Sequence, residues 1–236
     1  MAKSIQTLVY EELRKNILSL KLQPGQTMST QEIATKLNVS RTPVREAFLK
    51  LQEQGLVEMI PQKETTVSKI NLNRADQEKF IRESLELGIV RKFMDKETSE
   101  SKNKIVRELR EKIAIQKKCV ESRDFVGFLR ADDEFHSTLF IAVGETIAWD
   151  IISQQSGHYD RMRILFVQDK DAADSSIYQH ERIVEYLEKN DQKKATEAMI
   201  YHISRPEFDY DRIVKEHEEY FKTGEEKEQE IRIGSL

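Results

Sequence analysis

The stretch EIATKLNVSRTPVREAFLKLQEQG, Glu32 to Gly55, decides the fold of the N-terminal third of this chain. Ser29-Thr30-Gln31-Glu32, which leads into it, has the Ser-x-x-Glu form of a capping box. Ile33, Ala34 and Leu37 fall at helical spacing and give the first helix one apolar face. Asn38 ends it, because Asn tolerates the left-handed backbone of a helix-ending turn. Val39 is expected to plug the gap between this helix and the next. Ser40 or Thr42 caps the second helix, and Pro43 suits its first turn, where no amide partner is needed. Val44, Ala47, Phe48 and Leu51 form the buried stripe of that helix. Arg41, Thr42 and Arg45 are left on its other side, near the N-terminal end that enters the major groove in helix-turn-helix proteins. Arg offers a two-pronged donor to guanine, and hydroxyls reach phosphates.

Outward from this stretch the pattern changes on both sides. Leu56–Ile60 and Thr65–Ile70 read as two short strands around Pro61-Gln62-Lys63-Glu64, a hairpin wing with Lys63 placed to touch phosphate or the minor groove. Upstream, Ile5, Leu8, Val9, Leu13, Ile17 and Leu20 make an amphipathic helix, and Pro24-Gly25 supplies the turn that follows. The expected unit is a winged helix-turn-helix domain over residues 1–70.

These residues carry a resemblance. Pro24-Gly25, Ile33-Ala34, the run Leu37 to Ala47, Leu51 and Gly55-Leu56-Val57 resemble the N-terminal domain of GntR-family bacterial regulators. The similarity covers nearly all of residues 5–70. It implies that Arg41 and Arg45 contact bases or phosphates, with Ser40 and Thr42 assisting. In one departure, Glu64 stands where the family's wing usually carries Gly after its basic tip.

The chain has 236 residues, enough for two small domains, and a net charge of −4. That balance alone argues against nucleic acid, but the charge is unevenly spread. Residues 1–70 hold ten Lys/Arg against seven Asp/Glu, a net +3, and the remainder carries −7. A basic reader joined to an acidic second domain fits the division. The single cysteine, Cys119, excludes an internal disulfide. No signal-peptide core follows Met1, and the longest apolar runs, such as Leu139–Val143, are too short to span a bilayer. A cytoplasmic protein with no membrane contact is expected.

Beyond Asn71–Asp76, the expected linker and next helix start, strand signals vanish. Helical patterns cover 75–96, 101–121, 124–142, 146–168, 175–188 and 192–204, with breaks at Asp124, Gly144, the Asp169–Asp174 cluster and Asn190-Asp191. The expectation is a mainly α chain whose second domain, 75–221, is an all-α six-helix bundle. Pro206 ends or kinks the last bundle helix, residues 207–221 form a further helix, and 222–236 is a charged tail.

All five histidines lie in this second domain. Asp132 and His136 are four apart on one helix and so share a face. His180 and His202 lie on the last two bundle helices. Three imidazoles and a carboxylate converging in a bundle core bind a divalent transition metal. The same spacing also describes a surface Asp–His pair and hydrogen-bonded core histidines. Asp133 competes with Asp132 but lacks the four-residue offset. His158 and Arg161, on one helix, fit either the lining of an anionic-ligand pocket or a solvated face.

Asp132-Asp133-Glu134-Phe135-His136, with His180 and His202 downstream, resembles the metal-binding version of the C-terminal ligand-sensing (FCD) domain in the FadR-type branch of the same family. The six-helix count resembles its VanR-like subgroup. By position Asp132, His136, His180 and His202 match the family's metal ligands, and Arg82 matches an Arg that points into the cavity. Glu145 stands where the family commonly has Asn after Gly144.

Zn, Ni, Mn and Fe all suit this ligand set. An open metal position and an Arg fork together favour a small organic-acid or sugar-acid effector. The expected function is a metabolite-responsive repressor, a homodimer reading an inverted-repeat operator in double-stranded DNA. Two alternatives share the ligands: a metal-dependent enzyme fused to a DNA-binding module, and a purely structural metal. Against the enzyme, the chain has no HExxH, nucleophile elbow or phosphate loop.

Overall fold

In the computed structural model, α1 (Ile5–Leu18) starts where the Ser4 side chain accepts the Thr7 N–H, and it buries Val9, Tyr10, Leu13 and Ile17. Described are residues 3–60, 64–96, 99–204 and 210–222. The helix is shorter than its apolar pattern: Ile5 and Leu8 are exposed, and Leu20 lies past its end with a positive φ of 58°. Strand β1 (Thr27–Met28) leads into α2 (Thr30–Leu37) and α3 (Arg41–Glu53). The Ser29 hydroxyl accepts the Glu32 N–H at 3.2 Å, half of the expected capping box. The other half is not made, because Glu32 pairs with Lys36 instead. Asn38 adopts the left-handed conformation expected of it. Val44, Ala47, Phe48 and Leu51 are all buried, against Val9, Leu13 and Ile17 of α1.

Strands β2 (Val57–Met59) and β3 (Thr65–Val67) form the expected antiparallel hairpin, with Val57 opposite Val67. The sheet has a third member: β1 pairs with β3, giving the order β1-β3-β2. A two-residue strand has too few positions to show alternation. The wing tip, with Lys63, lies outside the described residues.

The second part is built from α4 (Leu72–Lys96), α5 (Ser99–Ser122), α6 (Phe125–Val143), α7 (Thr146–Gln155), α8 (Gly157–Phe166), α9 (Lys170–Glu188) and α10 (Gln192–Ser204). Its core gathers Val90, Phe93, Leu109, Phe135, Phe140, Ile183 and Met199. These are seven helices where six were expected, so the count that resembled the VanR-like subgroup is not met. The difference is a break at Ser156 inside the expected 146–168 helix. There the Ser156 hydroxyl donates to Asp160 Oδ2, and the His158 and Tyr159 N–H groups both donate to Glu78 Oε2 at 2.8 Å. Glu78 thus satisfies amides that the break leaves without helical partners. Asp124 and Gly144 cap α6 at its two ends as expected. The break expected at the Asp169–Asp174 cluster is narrower and ends at Asp169. Asp169 alone caps α9, accepting the Asp171 and Ala172 N–H groups, and the remainder of the cluster is helical.

All ten residues of α8 are buried. A helix covered all round shows no polar face, so periodicity could not separate it from α7. Gly157 opens it because Leu56 approaches so closely that a Cβ there would lie 2.6 Å from Leu56 Cδ2.

The chain then returns to the joint between its two parts. Helix α11 (Tyr210–Glu216) and a 3-10 turn (Glu218–Tyr220) bring Phe221 alongside Ile70 in a parallel bridge. The Ile70 N–H donates to Tyr220 O at 2.8 Å, and the Lys222 N–H donates to Ile70 O at 2.9 Å. Ile70, Tyr159, Met162, Phe166, Ile213 and Phe221 form a separate apolar cluster there. Pro206 and residues 223–236 fall outside the described residues. No helix among those described is long and apolar enough to cross a membrane.

Candidate functional site

Helix α6 carries Asp132 and His136 on its inner face, α9 brings His180 and α10 brings His202, and all four are fully buried. Each offers a ligand atom, and these atoms lie within 4.8 Å of one another. His202 Nε2 is 3.2 Å from His136 Nε2 and 3.1 Å from His180 Nε2. Asp132 Oδ2 lies 3.7 Å from His136 Nε2, and its Oδ1 lies 3.5 Å from His180 Nε2.

The opposite ring nitrogens each meet an acceptor. His136 Nδ1 is 2.5 Å from Glu86 Oε2, an ion-pair contact outside hydrogen-bond geometry. His180 Nδ1 is 2.9 Å from Gln116 Oε1, and His202 Nδ1 is 2.9 Å from Gln179 Oε1. With the proton on Nδ1, facing these oxygens, each Nε2 turns its lone pair inward. Lone pairs 3.1–3.2 Å apart repel unless a cation stands between them. Two nitrogens that each bind one ion at about 2.1 Å sit roughly 3.0–3.4 Å apart, so the donor set fits a divalent metal.

Charge at the site is set by its neighbours. Burial alone raises the Asp132 carboxyl, but Arg163, His180, His136 and Arg82 hold it well below the usual carboxylate range. Arg163 Nη2 donates to Asp132 Oδ2 at 2.5 Å, and Arg82 Nη2 is 3.5 Å from the same oxygen. Glu86 is brought down to about 2 against the same burial penalty, by His136 and Arg82. Asp133 points elsewhere: it is partly exposed and pairs with Arg163 at 2.9 Å.

Four residues around the histidines were not foreseen: Glu86, Gln116, Gln179 and Arg163. Only Glu86 left a trace in the sequence, as the i+4 partner of Arg82, to which it is bonded at 2.6 Å. Arg163 stands two places after Arg161 and therefore on a different side of the helix.

The residues expected to hold an effector are divided. Arg82 reaches the site but is engaged by Glu86, Asp132 and Asp133. His158 and Arg161 lie away from it, and their burial overturns the solvated-face alternative. Arg161 is buried at the joint, donating to Ser68 O at 2.5 Å and Gly157 O at 3.0 Å. His158 Nδ1 accepts the Asn71 N–H at 3.0 Å. Burial first, then the Arg161 and Arg74 charges, push His158 down to about 2, so it stays neutral. Neither lines the cavity of about 530 Å³ that adjoins Asp133 and Arg163.

At the other end of the molecule, Ser40, Arg41, Thr42 and Arg45 are exposed together at the start of α3. Ser40 occupies the N-cap position without a side-chain capping bond. Arg41 Nε donates to Gln31 Oε1 of α2. Arg41, Thr42 and Arg45 line one groove with Gln52 and Met59, between the helix and the hairpin.

Comparison with known proteins matches both parts. Residues 80–205 match the FCD domain, and residues 5–67 match the bacterial regulatory proteins of the gntR family. The HTH-type transcriptional repressor RspR of Escherichia coli (strain K12) is 30% identical over 214 residues, 90% of this chain and 92% of that one. An uncharacterized HTH-type transcriptional regulator in an unstable DNA locus of Streptomyces ambofaciens is 32% identical over 216 residues, 91% of this chain and 89% of that protein. The solved structure of E. coli McbR/YncC covers 92% of this chain and all of its own, with a TM-score of 0.75 at 19% identity. A putative transcriptional regulator GntR from Rhodococcus sp. RHA1 covers 90% of this chain and 99% of its own, with a TM-score of 0.70 at 22% identity. At those identities the two structures share the fold alone. The family matches and the near full-length relatives coincide with the helix-turn-helix and the helical bundle: the chain belongs to the gntR family of bacterial regulatory proteins and is a transcriptional regulator with an FCD domain, not an enzyme.

Proposed function

We propose that this regulator is a metabolite-responsive repressor in the cytoplasm, whose bundle holds a divalent metal ion and a small carboxylate effector. The observation that carries the metal is the pairing of three inward Nε2 atoms and Asp132 with three oxygens on the outward Nδ1 atoms. Such outer partners orient metal-bound histidines. Asp132, His136, His180 and His202 hold the ion, and Zn, Ni, Mn or Fe suits the set. When bound, the ion supplies a positive point to which a carboxylate oxygen attaches. The repressor name of a relative 30% identical supports the direction of regulation.

Ser40, Arg41, Thr42 and Arg45, with Lys63 of the wing, read DNA in this proposal. Two copies of the chain, as a homodimer, read an inverted repeat whose spacing the dimer sets. Helix α4 links the two ends of the molecule. Arg74 and Glu78 lie at the joint, Arg82 and Glu86 at the histidines, each four residues from the next. Arg74 Nη2 donates to Gln54 O behind α3 at 2.9 Å. A shift of α4 on effector binding therefore moves the reading helix. By linkage, operator DNA weakens effector binding by the factor with which effector weakens DNA binding.

Elemental analysis of the purified chain, with thermal melts in chelator and in added Zn, Ni, Mn or Fe, tests the metal. A bound ion near one per chain, lost together with thermal stability in His180→Ala, is expected. Absence of any ion and indifference to all four would sink the reading. A structural ion alone predicts that a His180→Ala protein still folded at the assay temperature keeps its full effector response.

A further inference from the structure

The cavity of about 530 Å³ is walled by both parts of the molecule. Helix α1 of the DNA-reading domain contributes Arg14 and Lys15, α6 contributes Arg130 and Asp133, and α8 contributes Asp160 and Arg163. Its floor and rim differ in exposure and in charge. Arg163, at 1% exposure, is the floor. Its Nη atoms are engaged by Asp132, Asp133 and Asp160, while its Nε is buried with no hydrogen-bond partner. Arg163 also holds the candidate ligand Asp132, so one residue stands between the cavity and the histidine cluster, none of whose four members lines it.

The rim holds three cations that no carboxylate neutralises within ion-pair distance among the described residues. Arg14 donates through Nη2 to Ser153 O, a neutral carbonyl, and its Nε is buried without a partner. Lys15 and Arg130 are exposed. The nearby carboxylates are already committed: Asp133 and Asp160 to Arg163, and Glu134 to Lys112 at 2.8 Å. A cleft with unmatched positive charge at its opening concentrates anions there. Arginine forks match carboxylate oxygens in pairs.

We propose that the effector is a small dianion with a carboxylate at each end. Its inner carboxylate sits at Arg163, whose Nε has no partner, on the side of the cavity next to the histidine cluster. Its outer carboxylate is held by Arg14, Lys15 and Arg130. The inner half of this assignment rests on the metal-and-carboxylate reading above; the outer half does not. In consequence the first helix of the DNA-reading domain is part of the effector site. Leu13 and Ile17, on the same helix as Arg14, share a core with Phe48 and Leu51 of the reading helix. Occupation of the rim therefore acts on α3 directly, through packed side chains, without passing along α4.

The test is calorimetric titration of the zinc-loaded full chain with malonate, succinate and glutarate, and with acetate and inorganic phosphate as single-ended anions. At least one diacid is expected to bind about tenfold more tightly than acetate or phosphate. Because Arg14→Gln also removes the bond to Ser153, the exposed pair Lys15→Gln with Arg130→Gln is the main variant. It is expected to weaken the diacid about tenfold and to leave acetate unchanged, as a rim-only role requires. No diacid binding up to about 10 mM, diacids no tighter than acetate or phosphate, or an unchanged diacid Kd in the Lys15/Arg130 variant each overturns the proposal. His180→Ala separates the two readings. Diacid binding lost in His180→Ala but unchanged in the Lys15/Arg130 variant keeps the metal reading and ends the two-domain site. Binding kept in His180→Ala but weakened in the Lys15/Arg130 variant does the reverse.

Discussion

His136 shows at one residue how the histidine cluster is made specific. One ring nitrogen faces His202 and the other faces the buried Glu86, whose carboxyl is ionised down to about pH 2. A carboxylate at that distance favours a proton on Nδ1, which raises the donor strength of Nε2. Glu86→Gln keeps the shape and removes the charge. Metal affinity, measured by competition with a chelating dye, is expected to drop about 10- to 100-fold. An unchanged affinity would show that Glu86 serves only Arg82.

Glu78 and His158 make a second residue-scale case, at the joint. Burial pushes the Glu78 carboxyl from 4.5 up to about 7, against two backbone N–H bonds and Arg74. The folded chain thus keeps a proton that the unfolded chain has released. The Glu78 contribution is full below about pH 4.5 and is lost as pH rises through 7. His158 behaves oppositely. Its folded value lies near 2 against 6.5, so its contribution is full above pH 6.5 and is lost as pH falls. Between 4.5 and 6.5 the two slopes offset each other. Glu78→Gln removes one of them. Relative to the parent, the variant is expected to lose about 1 kcal/mol per pH unit as pH drops from 7 to 4.5, read from urea unfolding at a series of pH values. Parallel profiles would count against the raised carboxyl.

At the scale of elements, α3 divides its work by face. Val44, Ala47, Phe48 and Leu51 anchor it in the core, and Arg41 and Arg45 are exposed on the outer side. Arg45→Ala is therefore expected to leave folding unchanged and to cost DNA binding about 1–3 kcal/mol. Fluorescence anisotropy on a duplex selected from a random pool measures this, and repeating it over a salt series shows whether a phosphate contact was removed. Affinity equal to the parent would take Arg45 out of the interface. Helix α8 follows a different logic. With every residue buried, its charges are spent inside the protein: Arg161 on the joint, Arg163 on the histidine cluster. The break at Ser156 is what allows one short helix to reach both.

At the scale of the whole molecule, the C-terminal return ties the two parts together. Phe221 packs in the cluster around Ile70, and the backbone bridge at Ile70 is made by residues 220 and 222. Phe221→Ala opens a cavity at the point where the reading domain meets the bundle. A loss of about 3 kcal/mol is expected in denaturant unfolding. A loss under about 1 kcal/mol would mean that the return is loosely attached.

Local rules were enough for the two helices and the turn of the helix-turn-helix, though not for the pairing of β1 with β3. Capping at Ser29, the left-handed turn at Asn38 and the stripe on α3 each depend on residues within a few places of one another, so the sequence by itself determined them. It also determined which side chains have metal-ligand chemistry, because Asp132 and His136 share a helix face at any location. The meeting of His180 and His202 with that face is different in kind. It needs α6, α9 and α10 side by side, which spacing along one helix does not specify. The roles of Arg161 and Arg163 were hidden for a related reason. In a helix buried on all sides, an arginine that crosses to the reading domain and one that serves the histidines have the same local pattern, and only the neighbours packed around them tell the two apart.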